Sequence, residues 1–111
     1  MSTRRIPKPG RRVRGSATGR PVMALLDLLG RRWALRILWE LGRGPSTFAT
    51  LQARCDGMSP SVLNQRLAEL REAGIAQLGD GGYALTAAGT ELCGPLARLN
   101  SWAKRWAARR R

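Results

Sequence analysis

The chain has 111 residues and a formal net charge of +13 at neutral pH, because 20 Lys and Arg residues are opposed by only 7 Asp and Glu residues. This length allows one domain, and so short a chain buries little surface alone, which favours association with a second copy. No histidine is present, and two cysteines are too few to form a zinc site. We therefore expect no enzymatic activity, no cofactor and no bound metal.

The excess positive charge lies at the two ends of the chain. Residues 1–20 hold seven basic residues and no acid, residues 104–111 hold five more, and the residues between are near neutral. Such basic blocks are typical of disordered arms that contact polyanions, although they also serve as solubilising ends. We expect a disordered basic arm over residues 1–20, a folded domain over 21–106 and a basic tail over 107–111.

No targeting or membrane segment is expected. No apolar run approaches the roughly 18–20 residues that a membrane span needs. The basic N-terminal stretch is interrupted by Pro7, Pro9 and Gly10 and does not resemble a signal peptide. We expect a cytoplasmic, nucleoid-associated protein with no membrane partner.

Two apolar helices are predicted at the start of the folded part. The first begins at Pro21, stops at Gly30 and is apolar on almost every side. The second covers residues 32–41, and its Leu35 and Trp39 point away from its main apolar face. Apolar side chains left outside a small core indicate a partner surface.

A second pair of helices follows. Residues 46–52 predict a short helix with an inward apolar face, and a turn connects it to a longer helix with clear signals at both ends. Ser59 can cap the start of that helix, Pro60 suits its first turn, and Gly74 can leave in the left-handed conformation.

The helix between Ser59 and Gly74 has two different faces. Leu63, Leu67 and Leu70 recur at i, i+4 and i+7, which places them on one buried side. The opposite side carries short and amide side chains of the kind that read base edges in a major groove. The candidate base-reading residues are Ser61, Asn64, Gln65 and Ala68. The candidate contacts to the DNA backbone are Ser46, Thr47, Ser59, Arg66 and Arg71, with pairing to Glu69 and Glu72 as the alternative for the two arginines.

A β-hairpin follows the second helix of this pair. Residues 75–78 and 83–86 alternate in character and flank the glycine-rich run 79–82. Helix, turn, helix and hairpin is the order of a winged helix-turn-helix, a mainly α fold with a small β-hairpin wing. The alternative is a small α+β domain without a nucleic-acid role.

The last predicted helix starts at Thr86 and runs towards Arg105, with a bend at Pro95. Its apolar residues follow the 4-3 spacing of a helix–helix seam, and its two tryptophans exceed what so small a core can bury. We therefore expect a homodimer. The predicted interface residues are Leu25, Leu28, Leu29, Trp39, Leu96, Leu99, Trp102 and Trp106.

The two cysteines are expected to be structural or incidental. Cys93 lies near the seam of the last helix, where a buried thiol behaves as a small apolar group. Cys55 lies in a turn and is expected to be exposed, with no neighbour that activates it.

Taken in this order, the segments resemble the HxlR family of bacterial transcriptional regulators, which are one-domain winged-helix proteins that act as dimers. Residues 30–33 are similar to the family's Gly-Gly-Lys-Trp segment, and residues 58–67 to its Ile-Ser-x-x-x-Leu-x-x-x-Leu recognition helix. Residues 44–51 and 83–89 fall where further family segments lie. The resemblance covers about residues 20–103 and implies a sequence-specific, homodimeric transcriptional regulator that binds double-stranded DNA.

Three features depart from the family pattern. Arg20 stands where members that sense oxidants often hold a cysteine, so thiol sensing at that position is not implied. Thr47 and Thr50 replace an arginine and a glutamate, which removes a phosphate contact. Asp80 at the wing tip repels phosphate, so minor-groove contact is expected to pass to the basic arm.

Two other functions are compatible with the sequence. One is an architectural protein that coats DNA through its basic ends without reading sequence. The other is a protein-interaction module that kept the fold and lost DNA binding, which Thr47, Asp80 and the near-neutral middle of the chain allow. DNA binding without sequence preference would favour the first, and no DNA binding would favour the second.

Overall fold

The computed structural model describes residues 20–110, so the arm predicted over residues 1–20 lies outside the described residues except for Arg20. The elements follow in the order α1 (Pro21–Leu29), α2 (Ala34–Leu41), α3 (Phe48–Arg54), α4 (Pro60–Glu72), β1 (Ala76–Gly79), β2 (Gly82–Leu85) and α5 (Ala87–Arg109). This order is that of a winged helix-turn-helix, so the predicted fold class is confirmed.

Helix α4 has the ends and the buried face that its sequence predicts. The Ser59 hydroxyl accepts a hydrogen bond from the backbone N–H of Val62, and Pro60 is the first helical residue. Gly74 follows the helix with a φ of +77°, a conformation that favours glycine. The leucines of the predicted face, Leu63, Leu67 and Leu70, are all buried in the core.

The wing is a two-stranded antiparallel hairpin that is tied to the start of α3. Gly79 pairs with Gly82, which leaves Asp80 and Gly81 at the tip. Ser46 forms an isolated bridge with Tyr83, and two backbone hydrogen bonds of 2.9 and 2.8 Å join them. The backbone approaches closely here, because a Cβ on Gly82 would lie 2.5 Å from the Ser46 carbonyl oxygen. The sequence pattern did not predict this third extended segment.

Helix α5 is longer than predicted and continues to Arg109. The Thr86 hydroxyl caps its start by accepting from the Gly89 N–H, and it also donates to the Gly74 carbonyl at 2.6 Å. Pro95 lies inside the helix. Most of the predicted basic tail is therefore helical, since alanine and arginine at 107–109 are strong helix formers.

Only part of α5 packs on the domain. Leu92 and Leu96 lie half-buried against the core, while Leu99, Trp102 and Trp106 further along are exposed. None of the helices in residues 20–110 combines the length and the apolar character that a membrane crossing requires.

Candidate nucleic-acid interface

The polar face of α4 is open to solvent. Ser61, Asn64 and Ala68 are exposed and Gln65 is partly exposed, on the side of the helix opposite the buried leucines. The structure therefore brings the four predicted base-reading residues together on one surface. Arg71 is exposed near the C-terminal end of the same helix.

The caps of the two helices in the helix-turn-helix are also exposed. Thr47 caps the start of α3, where its hydroxyl accepts from the Thr50 N–H at 3.2 Å. Ser59 caps the start of α4, and its hydroxyl lies 3.1 Å from the hydroxyl of Ser61. These two predicted contacts to the DNA backbone are therefore accessible, although their hydroxyl groups also cap the helices.

Two other predicted contacts to the DNA backbone, Ser46 and Arg66, are too buried to reach DNA. Ser46 is buried, its backbone pairs with Tyr83, and its hydroxyl donates to the Gly44 carbonyl. Arg66 is also buried, because its guanidinium points inward and contacts the Glu69 carboxylate at 3.0 Å. The alternative given for Arg66, pairing with Glu69, is the one that the structure contains.

The exposed residues that are candidates for DNA contact carry little net charge. Arg71 is the exposed arginine of α4, and the exposed Glu72 follows it directly. The wing tip presents Asp80, which is exposed as well. A surface of this kind can distinguish bases by hydrogen bonding, but it supplies little of the phosphate attraction that dominates affinity.

A second, apolar surface lies between α2 and α5. A groove of about 460 Å³ separates these helices, and its walls include Leu35 and Trp39 from α2 and Leu99 from α5. Further along α5, Trp102 and Trp106 stack with ring centroids 6.0 Å apart. Each of these five side chains is about half exposed in the single chain.

The predicted interface residues divide into three groups. Leu28 and Leu29 are buried in the domain's own core, which contradicts their assignment to a subunit contact. Leu25 and Leu96 are partly buried against that core. The remaining four, Trp39, Leu99, Trp102 and Trp106, are exposed.

Helix α1 also carries apolar side chains that the sequence pattern did not single out. Val22 and Leu26 are exposed on its outer side. They were missed because this helix is apolar all round, so its sequence does not show which side faces the core.

Of the two cysteines, only Cys55 lies in an environment different from the expected one. Cys55 is fully buried, and this burial raises the pKa of its thiol above the ordinary value. Cys93 is only partly buried and lines the groove between α2 and α5. The expectation that Cys55 is exposed was wrong, because its turn folds back onto the core.

The geometry agrees with comparisons to known proteins. Residues 28–111 match the model of the HxlR-like helix-turn-helix family. The chain belongs to the HxlR family. It is therefore a transcriptional regulator with a helix-turn-helix DNA-binding domain, as the resemblance of its segments implied.

Individual relatives support this membership. The chain is 30% identical over 88 residues to the "Uncharacterized HTH-type transcriptional regulator YvaP" of Bacillus subtilis, an alignment that covers 73% of this chain and 82% of the relative. The crystal structure of quinone-bound YodB from B. subtilis is 30% identical, with a TM-score of 0.72 over 76% of this chain and 96% of YodB. A "possible HxlR family transcriptional factor" from Thermoplasma volcanium GSS1 is 26% identical, with a TM-score of 0.66 over 75% of this chain and 81% of that chain.

Proposed function

We propose that this HxlR-family protein is a sequence-specific DNA-binding regulator that acts as a homodimer on the chromosome in the cytoplasm. The observation that carries the proposal is the division of α4. Its leucine face is buried in the core, and its opposite face presents exposed amide, hydroxyl and methyl groups from a helix capped at its start. This is the arrangement with which a recognition helix enters a major groove.

Each residue of the exposed face has a defined role in this proposal. Asn64 or Gln65 pairs with the hydrogen-bonding edge of adenine, and Ala68 contacts the methyl group of thymine. Ser61 can donate to or accept from either base of a pair. Arg71 contacts phosphate, where it contributes to affinity and not to the choice of sequence.

The homodimer is supported by the apolar surface on α1, α2 and α5. The occupant that we assign to the α2–α5 groove is a second copy of this chain. Three large apolar side chains that line it, Leu35, Trp39 and Leu99, are about half exposed, and so is Trp102 further along α5. This is more than a small monomeric domain ordinarily leaves in one region. A two-fold pair presents two α4 helices to successive major grooves, so we expect an imperfect palindrome as the binding site.

The experiment that tests base reading compares selected with random DNA. Duplexes enriched from a random pool by the unmodified protein provide the preferred site. Gln65→Ala should weaken binding to that site by about 1–3 kcal/mol and leave binding to random duplexes nearly unchanged. Gln77→Ala is the matched control, since it makes the same change at an exposed glutamine of β1 away from the wing tip.

The outcomes separate the three functions. Loss of site preference in Gln65→Ala and Asn64→Ala, but not in Gln77→Ala, supports the sequence-specific regulator. Unchanged preference in both α4 variants, together with abolished binding when residues 1–19 are removed, favours an architectural protein. No DNA binding by the unmodified chain favours an interaction module.

A further inference from the structure

A buried group of charges connects α4 to the turn between α1 and α2. The two carboxylate oxygens of Glu69 lie 3.0 Å from Nη1 of Arg66 and 2.8 Å from Nη1 of Arg31. Nε of Arg66 donates to the backbone carbonyl of Arg32 at 2.8 Å. Two consecutive residues of the turn are therefore bound by two side chains of the recognition helix.

The turn that they contact is conformationally restricted. Trp33 has a φ of +75°, which a bulky side chain adopts only where its surroundings hold it. Arg31 also lies 3.6 Å from the carboxylate of Asp27 in α1. Helix α1, the turn and α4 are thus joined by one continuous polar cluster, which we define as Asp27, Arg31, Arg66 and Glu69.

The cluster lies directly behind the proposed reading face. Arg66 and Glu69 follow Gln65 and Ala68 in the chain, and the first two are buried whereas Ala68 is exposed and Gln65 partly so. A shift or rotation of α4 about its axis would therefore displace all the base-reading groups together. Recognition groups must be held to roughly 0.5 Å and 10–20° to act, so the attachment of this helix affects base reading.

We propose that Glu69 is a positioning residue for base recognition, and that it acts by holding α4 at a fixed orientation to α1 through Arg31 and Arg66. The carboxylate does not contact DNA. This inference rests on the proposed function, because it assigns the origin of the sequence preference that the function requires.

The chain offers a matched control for Glu69. Glu40 on α2 is an equally buried carboxylate with two arginine partners, Arg36 at 3.2 Å and Arg43 at 3.3 Å. These partners lie on α2 and directly after it, and not on α4. Glu69→Gln and Glu40→Gln therefore each remove one buried carboxylate charge, but only the first breaks contacts between the recognition helix and the α1–α2 turn. The arginine partners of Glu40 are more exposed than those of Glu69.

The test measures affinity for the selected duplex and for random duplexes. Glu69→Gln should lower the ratio of the two affinities by about three- to thirty-fold, with little change on random DNA. Glu40→Gln should also lower the melting temperature, but it should leave the ratio unchanged. A ratio unaffected by Glu69→Gln, or lowered equally by both variants, would overturn the positioning role.

Amide hydrogen exchange gives a readout that does not depend on DNA. Glu69→Gln should accelerate exchange in residues 60–72 and in the turn at 30–33 together, whereas Glu40→Gln should accelerate it mainly in α2. If Glu69→Gln accelerates exchange in only one of the two segments, the proposed connection between them is contradicted. If the unmodified protein prefers no duplex, the proposed function fails and the positioning role fails with it, even where exchange shows the two segments to be coupled.

Discussion

Helices α4 and α5 are both amphipathic, yet the domain covers the whole apolar face of α4 and only part of that of α5. The leucines of α4, Leu63 and Leu67 among them, are at most 1% exposed. On α5, Leu99 is 58% exposed, Trp102 47% and Trp106 48%. Helix α4 gives its apolar face to the core and presents its polar face, whereas α5 leaves much of its apolar face uncovered.

This difference indicates where each helix makes its contacts outside the domain. A polar face on a helix fixed by a complete core is suited to hydrogen bonding with bases, because the groups are held in place before binding. An exposed apolar face is suited to another apolar surface, because its burial releases water. In the proposed dimer, α4 contacts DNA and α5 contacts the second copy.

The largest expected effect concerns the covered face of α4. Leu67→Ala should lower the free energy of unfolding by about 2–5 kcal/mol, since it leaves a cavity in the core. Leu78→Ala, the same change at a half-exposed leucine of β1, should cost about 0.5 kcal/mol or less. Urea denaturation of the two variants at equal protein concentration measures these changes. Equal losses of unfolding free energy would contradict the difference in packing between the two leucines.

The next effect concerns the uncovered face of α5. Leu99→Asp combined with Trp102→Ser should convert dimers to monomers, with a loss of dimer stability of at least about 2 kcal/mol, because large apolar anchors dominate such contacts. Sedimentation velocity at micromolar concentration measures the change. If the unmodified chain sediments there as a well-folded monomer, the homodimer is excluded.

The weak charge of the α4 face leads to a third prediction. Removal of residues 1–19, which carry six basic residues and no acid, should weaken binding to every duplex. The slope of log affinity against log salt should flatten by up to about 0.9 for each phosphate that the arm neutralises in the unmodified protein. Titrations at several salt concentrations measure this slope, and an unchanged slope would mean that the arm does not bind phosphate.

The smallest effect on function is expected at the cysteines. Cys93 lines the α2–α5 groove, so a maleimide should label it slowly in the dimer and rapidly in the Leu99→Asp and Trp102→Ser double variant. Cys55 should stay unlabelled in both, because it is buried and its raised pKa keeps the thiol protonated at neutral pH. Peroxide should change DNA affinity less than about two-fold, because burial outweighs the opposing effect of Arg36 on the Cys55 thiol and the dimer covers Cys93. A cysteine-dependent loss of binding on oxidation would contradict this expectation.

The parts of the fold that the sequence predicts are those with local signals. Ser59, Pro60 and Gly74 delimit α4 through hydrogen bonding and backbone geometry that depend on a few adjacent residues. The hairpin is equally local, because its strands are separated only by the glycine-rich turn. Such features need no knowledge of the rest of the chain.

The parts that it does not predict depend on distant elements. Ser46 is buried by its pairing with Tyr83, and Arg66 points inward because its Nε donates to the carbonyl of Arg32. Leu28 and Leu29 are core residues because α2 covers that side of α1. Periodicity shows which side of a helix is apolar, but it does not show whether the domain or a partner covers that side.

In the proposed complex, two copies joined through α5 place their α4 helices in successive major grooves. Hydroxyl-radical footprinting on the selected duplex, with sedimentation of the same complex, tests it most directly. We expect two chains per duplex and two protected regions about 34–36 Å apart, related by an imperfect palindrome. A single chain per duplex with one protected region would contradict it.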